Sequence, residues 1–184
     1  ADAENSQPSI TRFLLEGRVD EVQFQDGRLP QPVLNVSGDF SADQNGLVFR
    51  NLRGNIGDGS LQLDGRLTDW KTLTFQSRLV AHRLRFNKRW VPLLPEKQQN
   101  EWLKFQPEGL VSCDVQIHRD ATGQVTKTGT IDVDEMNYVF EDFPVPIQGA
   151  AGRFQLEGKN CQFHLQVSNE LYPMDIQGYA NNIG

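Results

Sequence analysis

Val19-Asp20-Glu21-Val22-Gln23-Phe24 and Val133-Asp134-Glu135-Met136-Asn137-Tyr138 are one passage written twice. The first runs through Leu29-Pro30-Gln31-Pro32-Val33 to Gly38, the second through Phe143-Pro144-Val145-Pro146-Ile147 to Gly152. Val133 stands 114 residues after Val19, and the same offset relates Phe40 to Phe154 and Phe49 to Phe163. A slip of one residue then sets Gly65 against Gly178. Identities held in one register over such a distance mark a repeat array, whose units complete one another's apolar faces instead of closing separate cores.

Within each copy the writing has period two. Val111, Cys113, Val115 and Ile117 alternate with Ser112, Asp114, Gln116 and His118; Cys161, Phe163, Leu165 and Val167 alternate with Gln162, His164, Gln166 and Ser168. Leu61, Leu63, Gly65 and Leu67 keep the same rule. Strands with one apolar and one polar face belong to antiparallel sheets. Asp43-Gln44-Asn45-Gly46, Gly54 to Ser60, Asp120-Ala121-Thr122-Gly123 and Glu157-Gly158-Lys159-Asn160 read as tight turns between them. The phase of alternation changes at Val-Asp-Glu in both copies, which predicts a bulge or sharp bend there. The Pro-x-Pro that follows cannot donate to a ladder and predicts an edge or a strand entry.

One stretch departs from this writing. Residues 95–105, Pro-Glu-Lys-Gln-Gln-Asn-Glu-Trp-Leu-Lys-Phe, carry helix formers, a proline at the start and a stop at Pro107 and Gly109. With Trp102, Leu103 and Phe105 as its apolar residues it predicts a short amphipathic helix capping one end of the sheet. The expected fold is therefore mainly β: a curved antiparallel repeat sheet with one short capping helix. Residues 1–9 read as a polar tail, 10–130 as the first repeat and 131–184 as a truncated second one, so the chain reads as a piece of a longer protein.

Composition narrows the function. An apolar content of 38% is ordinary for a folded domain. A net charge of −6 argues against nucleic acid as a partner, because phosphate contacts need a basic face. No apolar run approaches the ~18 residues of a membrane span. Two cysteines, Cys113 and Cys161, have no metal or redox spacing and are expected as unpaired thiols.

No constellation for catalysis, metal or cofactor is legible. His118 and His164 fall in polar registers, and His82 has no partner motif. The glycine-rich 54–60 lacks the lysine and hydroxyl ending of a phosphate loop. Asp132, Asp134 and Glu135 lack calcium-loop spacing and read as a solvated face. The chain is expected not to be an enzyme.

Two features remain. His82-Arg83-Leu84-Arg85-Phe86-Asn87-Lys88-Arg89-Trp90 concentrates cations in an acidic chain. It reads first as a strand edge guarded against aggregation; the functional alternative makes Arg83, Arg85, Lys88, Arg89 and Trp90 contacts for anionic headgroups or for a partner's acidic face. The second feature is the apolar register itself: Phe24, Phe40, Phe49, Leu61, Leu63, Tyr138, Phe154, Phe163 and Leu165. These are either a closed core or, if the repeat units stay open, one shared trough suited to acyl chains.

The order of glycine, apolar strand, bend, Pro-x-Pro, Gly-x-Phe, hairpin and glycine-closed strand, as in Gly59-Ser60-Leu61-Gln62-Leu63-Asp64-Gly65-Arg66-Leu67, resembles AsmA/TamB-like proteins of Gram-negative-type bacteria. The resemblance covers about residues 10 to 180 and implies a taco-like β-groove with an apolar concave face. It implies further a periplasmic segment of a protein anchored in the inner membrane, touching the membrane through parts absent from this chain and carrying phospholipid between inner and outer membranes. Its partners would be acyl chains and neighbouring repeats. The competing expectation is a structural or adhesion β-module with a closed core and no ligand.

Overall fold

The protein is described here from a computed structural model covering residues 12–140, 143–168 and 173–181. Ten strands follow one another as a single antiparallel meander: β1 (Leu14–Phe24), β2 (Val33–Asp43), β3 (Leu47–Ile56), β4 (Gly59–Asp69), β5 (Thr74–Phe86), β6 (Glu108–Arg119), β7 (Val125–Phe140), β8 (Phe143–Gly158), β9 (Asn160–Val167) and β10 (Met174–Asn181). The strand order in the sheet is the order in the chain, and among the described residues no ladder joins β1 to β10; the sheet is curved and unclosed. The expected architecture is the observed one.

Turn chemistry explains the meander. Asp43 accepts the amides of Asn45 at 2.8 Å and Gly46 at 2.9 Å through Oδ1, and this closes the β2–β3 hairpin. Asp120 does the same for Thr122 and Gln124 between β6 and β7. Gly57, at φ +57°, makes the two-residue β3–β4 turn possible. The expected boundary at 130/131 falls inside β7 (Val125–Phe140).

The bend at Val-Asp-Glu is a β-bulge in both copies. Pairing slips between Val19 and Val22 on β1 and between Val133 and Met136 on β7, with Glu21 at φ +52° and Glu135 at φ +50°. Asn35 and Gly149, again 114 residues apart, form a second matched pair at φ +54° and +68°. The prolines behave as expected too. Pro30 and Pro32 precede β2, while Pro144 and Pro146 lie on β8 before its pairing with β9 begins at Ala150.

Helix α1 (Glu96–Phe105) lies between β5 and β6 and packs on β7. Pro95 is its N-cap, its carbonyl accepting the amides of Gln98 and Gln99, and Gln106 ends it in a left-handed turn. A 3-10 helix over Lys88–Leu93, unforeseen from the sequence, precedes it.

Nearly everything buried lies on one side. Ala81, Val115, Val133, Met136, Ala150, Leu156, Cys161 and Val167 share a face and are buried, although strands pack substantially only on their neighbours in the meander. A single layer can bury residues such as Ala150 and Met136 on one side only by curling toward that side. Leu110, on the opposite face, is the exception among the buried hydrophobic residues described.

Candidate functional site

All nine apolar candidates fall on the inward face, as the ladders require. Gly17, Phe40, Phe49 and Gly65 are partners across β1 to β4; Ile131, Phe154, Phe163 and Gly178 are partners across β7 to β10. Leu61 and Leu63 lie on the same side of β4, opposite Gly54 and Leu52. Phe24 stands at the β1 edge, 53% exposed, whereas Tyr138 and Leu165 pack on the cluster of Val133, Met136, Ala150 and Val167.

Two glycines in these rows, Gly17 and Gly178, are seats for rings. A Cβ at Gly178 would fall within the Phe163 ring, and one at Gly17 would meet Phe40 at 2.6 Å. Phe154 and Phe163 lie with ring centroids 5.7 Å apart and planes tilted by 31°. Phe40 and Phe163 therefore lean over the glycines of the neighbouring strands.

The two aromatic pairs do not share one transverse row. Phe49 leads through Gly65 to Ser77 on β5, whereas Phe163 leads back through Phe154, Ile131 and Cys113 to Ala81. Four residues on β5 separate the rows, a stagger of about 13 Å at ~3.3 Å per residue. The apolar strip thus runs obliquely to the strands.

Chemistry is sparse along it. Cys113 and Cys161 sit on the apolar face of β6 and β9, with β7 and β8 between them, and both are free thiols. Burial pushes both thiols up, so neither is poised as a thiolate nucleophile. Tyr138 is likewise raised by burial.

The opposite face is written in charge. Arg78 grips Asp114 through two contacts at 2.6 and 2.8 Å, Arg153 grips Asp132 at 2.6 Å, and Arg18 lies 3.5 Å from Asp39. These exposed pairs bring neighbouring strands into register and add little energy each. His164 Nε2 donates to Asp175 Oδ1 at 2.8 Å, and His118 is exposed on the same face. Asp132 and Asp134 do form part of a solvated face, as expected.

The cationic candidates lie away from the apolar strip. Arg83 and Arg85 are exposed on the polar side of β5; Lys88, Arg89 and Trp90 belong to the 3-10 helix beyond it. Arg83, Arg85, Arg89 and Trp90 line one pocket, with Lys88 outside its lining. β5 is paired by both β4 and β6 up to His82, where the β4 ladder ends at Ser60, and Leu84, Arg85 and Phe86 pair with β6 alone.

Sequence reading missed the side chains that cap the bulges. Ser37 accepts the amide of Glu21 at 3.0 Å, Asp64 that of Asn51 at 2.7 Å, Ser112 that of Arg83 at 3.0 Å and Asn137 that of Gly149 at 3.1 Å. The signal was a small polar residue on the neighbouring strand opposite each break in phase. No protein family, curated protein or solved structure was found to match this chain.

Proposed function

We propose that the chain is a non-enzymatic, AsmA/TamB-like segment whose apolar face forms part of a periplasmic groove for phospholipid acyl chains, the parent protein being anchored in the inner membrane. The observation that carries this reading is one unclosed ten-stranded sheet with an apolar inner face and no second strand layer packed on it. Such a face gains about 0.8 kcal/mol for each methylene it takes from water and needs no specific polar contact. Headgroups would stay at the margin of the strip, where Lys127 and Arg119 share the inward parity of Ile131 and Val115.

Neighbouring repeats are the proposed second partner. β6 pairs with β7 by setting Val111 opposite Val133, and β1 carries the same passage with Val19 in that place. A strand equivalent to β6 would continue the sheet past β1 and cover Val22 and Phe24, now 42% and 53% exposed. That arrangement favours a trough running through the array over an adhesion module closed on itself.

Organic extraction of the purified protein followed by mass spectrometry tests the reading. Phospholipid should copurify with the wild type. Replacing Phe49 and Phe163 by aspartate should remove it while leaving the β-sheet circular dichroism intact, because a carboxylate in an open groove still reaches water. Absence of phospholipid from the wild type, or its retention in the double variant, defeats the reading. Unfolding of the variant would point to a closed core.

A further inference from the structure

The geometry points to a second site, independent of the groove: a phosphate-binding pocket on the outer face, where β5 meets the 3-10 helix. Arg83, Arg85 and Arg89 line a pocket of about 150 Å³ together with Trp90, Leu110 and a single carboxylate, Asp58. Elsewhere on this face Arg18, Arg78 and Arg153 each sit against an aspartate. Here Arg85 and Arg89 have no carboxylate within ion-pair distance among the described residues, and Arg83 lies 3.9 Å from Asp134. Three guanidinium groups around one small space repel one another unless an anion joins them.

The backbone delivers these arginines to the pocket. Ala81, Arg83 and Arg85 share strand parity, so an unbroken β5 would turn both arginines toward the apolar face where Ala81 is buried. The bulge at Arg83, φ +50°, reverses them: pairing slips between Ala81 and Leu84, and Leu84 takes the inward place. Ser112 Oγ accepts the Arg83 amide and holds the bulge. Trp90 is fixed as well, its indole N–H donating to the Arg85 carbonyl at 2.8 Å, so the pocket is offered the ring and not the donor.

Several guanidinium forks arriving from different directions suit a tetrahedral phosphoryl group better than a planar carboxylate. The apolar wall of Trp90 and Leu110 suits the carbon of a phosphate ester. A phosphomonoester or phosphodiester is therefore the class of ligand, free in solution or carried by a lipid headgroup.

Titrating the ¹⁵N-labelled protein with inorganic phosphate, at ionic strength held constant with chloride, tests the site. Arginine Nε–H signals of Arg85 and Arg89 and the Trp90 indole signal should shift and saturate. The Arg85→Glu/Arg89→Glu double variant should lose at least tenfold in affinity, and Asp58→Asn should gain severalfold. All three substitutions are on exposed side chains, and unchanged methyl signals of Val133 and Val167 would confirm an intact fold. Phosphatidylglycerol vesicles that bind and are displaced by phosphate would assign the anion to a headgroup; phosphate binding without vesicle binding would assign it to a soluble ester. Shifts reproduced by chloride alone, or a double variant that binds like the wild type, overturn the site. Lipid copurification with the double variant reports on the groove separately.

Discussion

The same Val-Asp-Glu bulge occurs at an edge in β1 and in the interior in β7, and the two differ in everything that depends on neighbours. Val22 is 42% exposed and its counterpart Met136 is 2% exposed, though each follows the same left-handed glutamate. Local sequence is therefore enough to write the bulge. Burial comes from the strand beside it: β6 covers one side of β7, whereas β1 pairs with β2 alone among the described residues. This is how a repeat unit behaves whose stability is shared with its neighbours.

The largest test of that contrast is a pair of truncations at matched positions. Met136→Ala should destabilise the protein by about 2–5 kcal/mol, the range for emptying a packed apolar site. Val22→Ala should lose under about 1 kcal/mol, because most of the removed surface already faces water. Urea denaturation of both variants measures the difference. Equal losses would mean that β1 is buried in solution as β7 is, and that its edge has already found a partner.

A smaller effect should separate the two matched glycines. Gly178 lies beneath the Phe163 ring, whereas a Cβ at Gly65 would meet the Ser77 Cβ at 3.3 Å. Gly178→Ala should lose about 1–3 kcal/mol through the displaced ring, and Gly65→Ala less than half of that. Similar losses in thermal unfolding would show that Phe163 is free to swing out of its seat.

The sequence showed much of this because its period, its repeat and its turn residues all bear on backbone geometry. The strands, the bulge at Val-Asp-Glu, helix α1 and the shared face of Phe40, Phe49, Phe154 and Phe163 each follow from spacing alone. What it hid depends on pairing. The alternation of Arg83 and Arg85 with Ala81 cannot show that a bulge reverses their direction, because the bulge is held by Ser112 from the next strand. Nor could the sequence show that the β4 ladder stops at His82, which leaves Leu84, Arg85 and Phe86 paired with β6 alone.

The one-residue slip between the copies has a structural cause, and it gives the smallest of the tests. Asn51 is an extra residue: β3 bulges between Phe49 and Leu52, with Asn51 at φ +53°, while β9 pairs without a shift on both sides. Removing that residue from the count brings Phe49 to Gly65 into step with Phe163 to Gly178. The bulge is held by Asp64, which accepts the Asn51 amide at 2.7 Å, and this hydrogen bond, with help from the Gln62 amide, keeps the Asp64 carboxyl below its usual range. A carboxylate whose folded pKa is depressed stabilises the fold above its unfolded pKa, near 3.9, and the contribution fades as pH falls through the folded value. Asp64→Ala should therefore lose on the order of 1 kcal/mol at pH 7, and the gap from the wild type should narrow below about pH 4. Gln177, the residue matched to Asp64 in the second copy, holds no bulge and only makes a long contact to the Asp175 carboxylate, so Gln177→Ala should lose less than Asp64→Ala at pH 7. Urea midpoints for the three proteins at pH 7 and pH 3 decide it. A gap for Asp64→Ala that persists undiminished at pH 3 would mean that the bulge stands without the carboxylate, and that the slip between the copies is held by the Asn51 backbone alone.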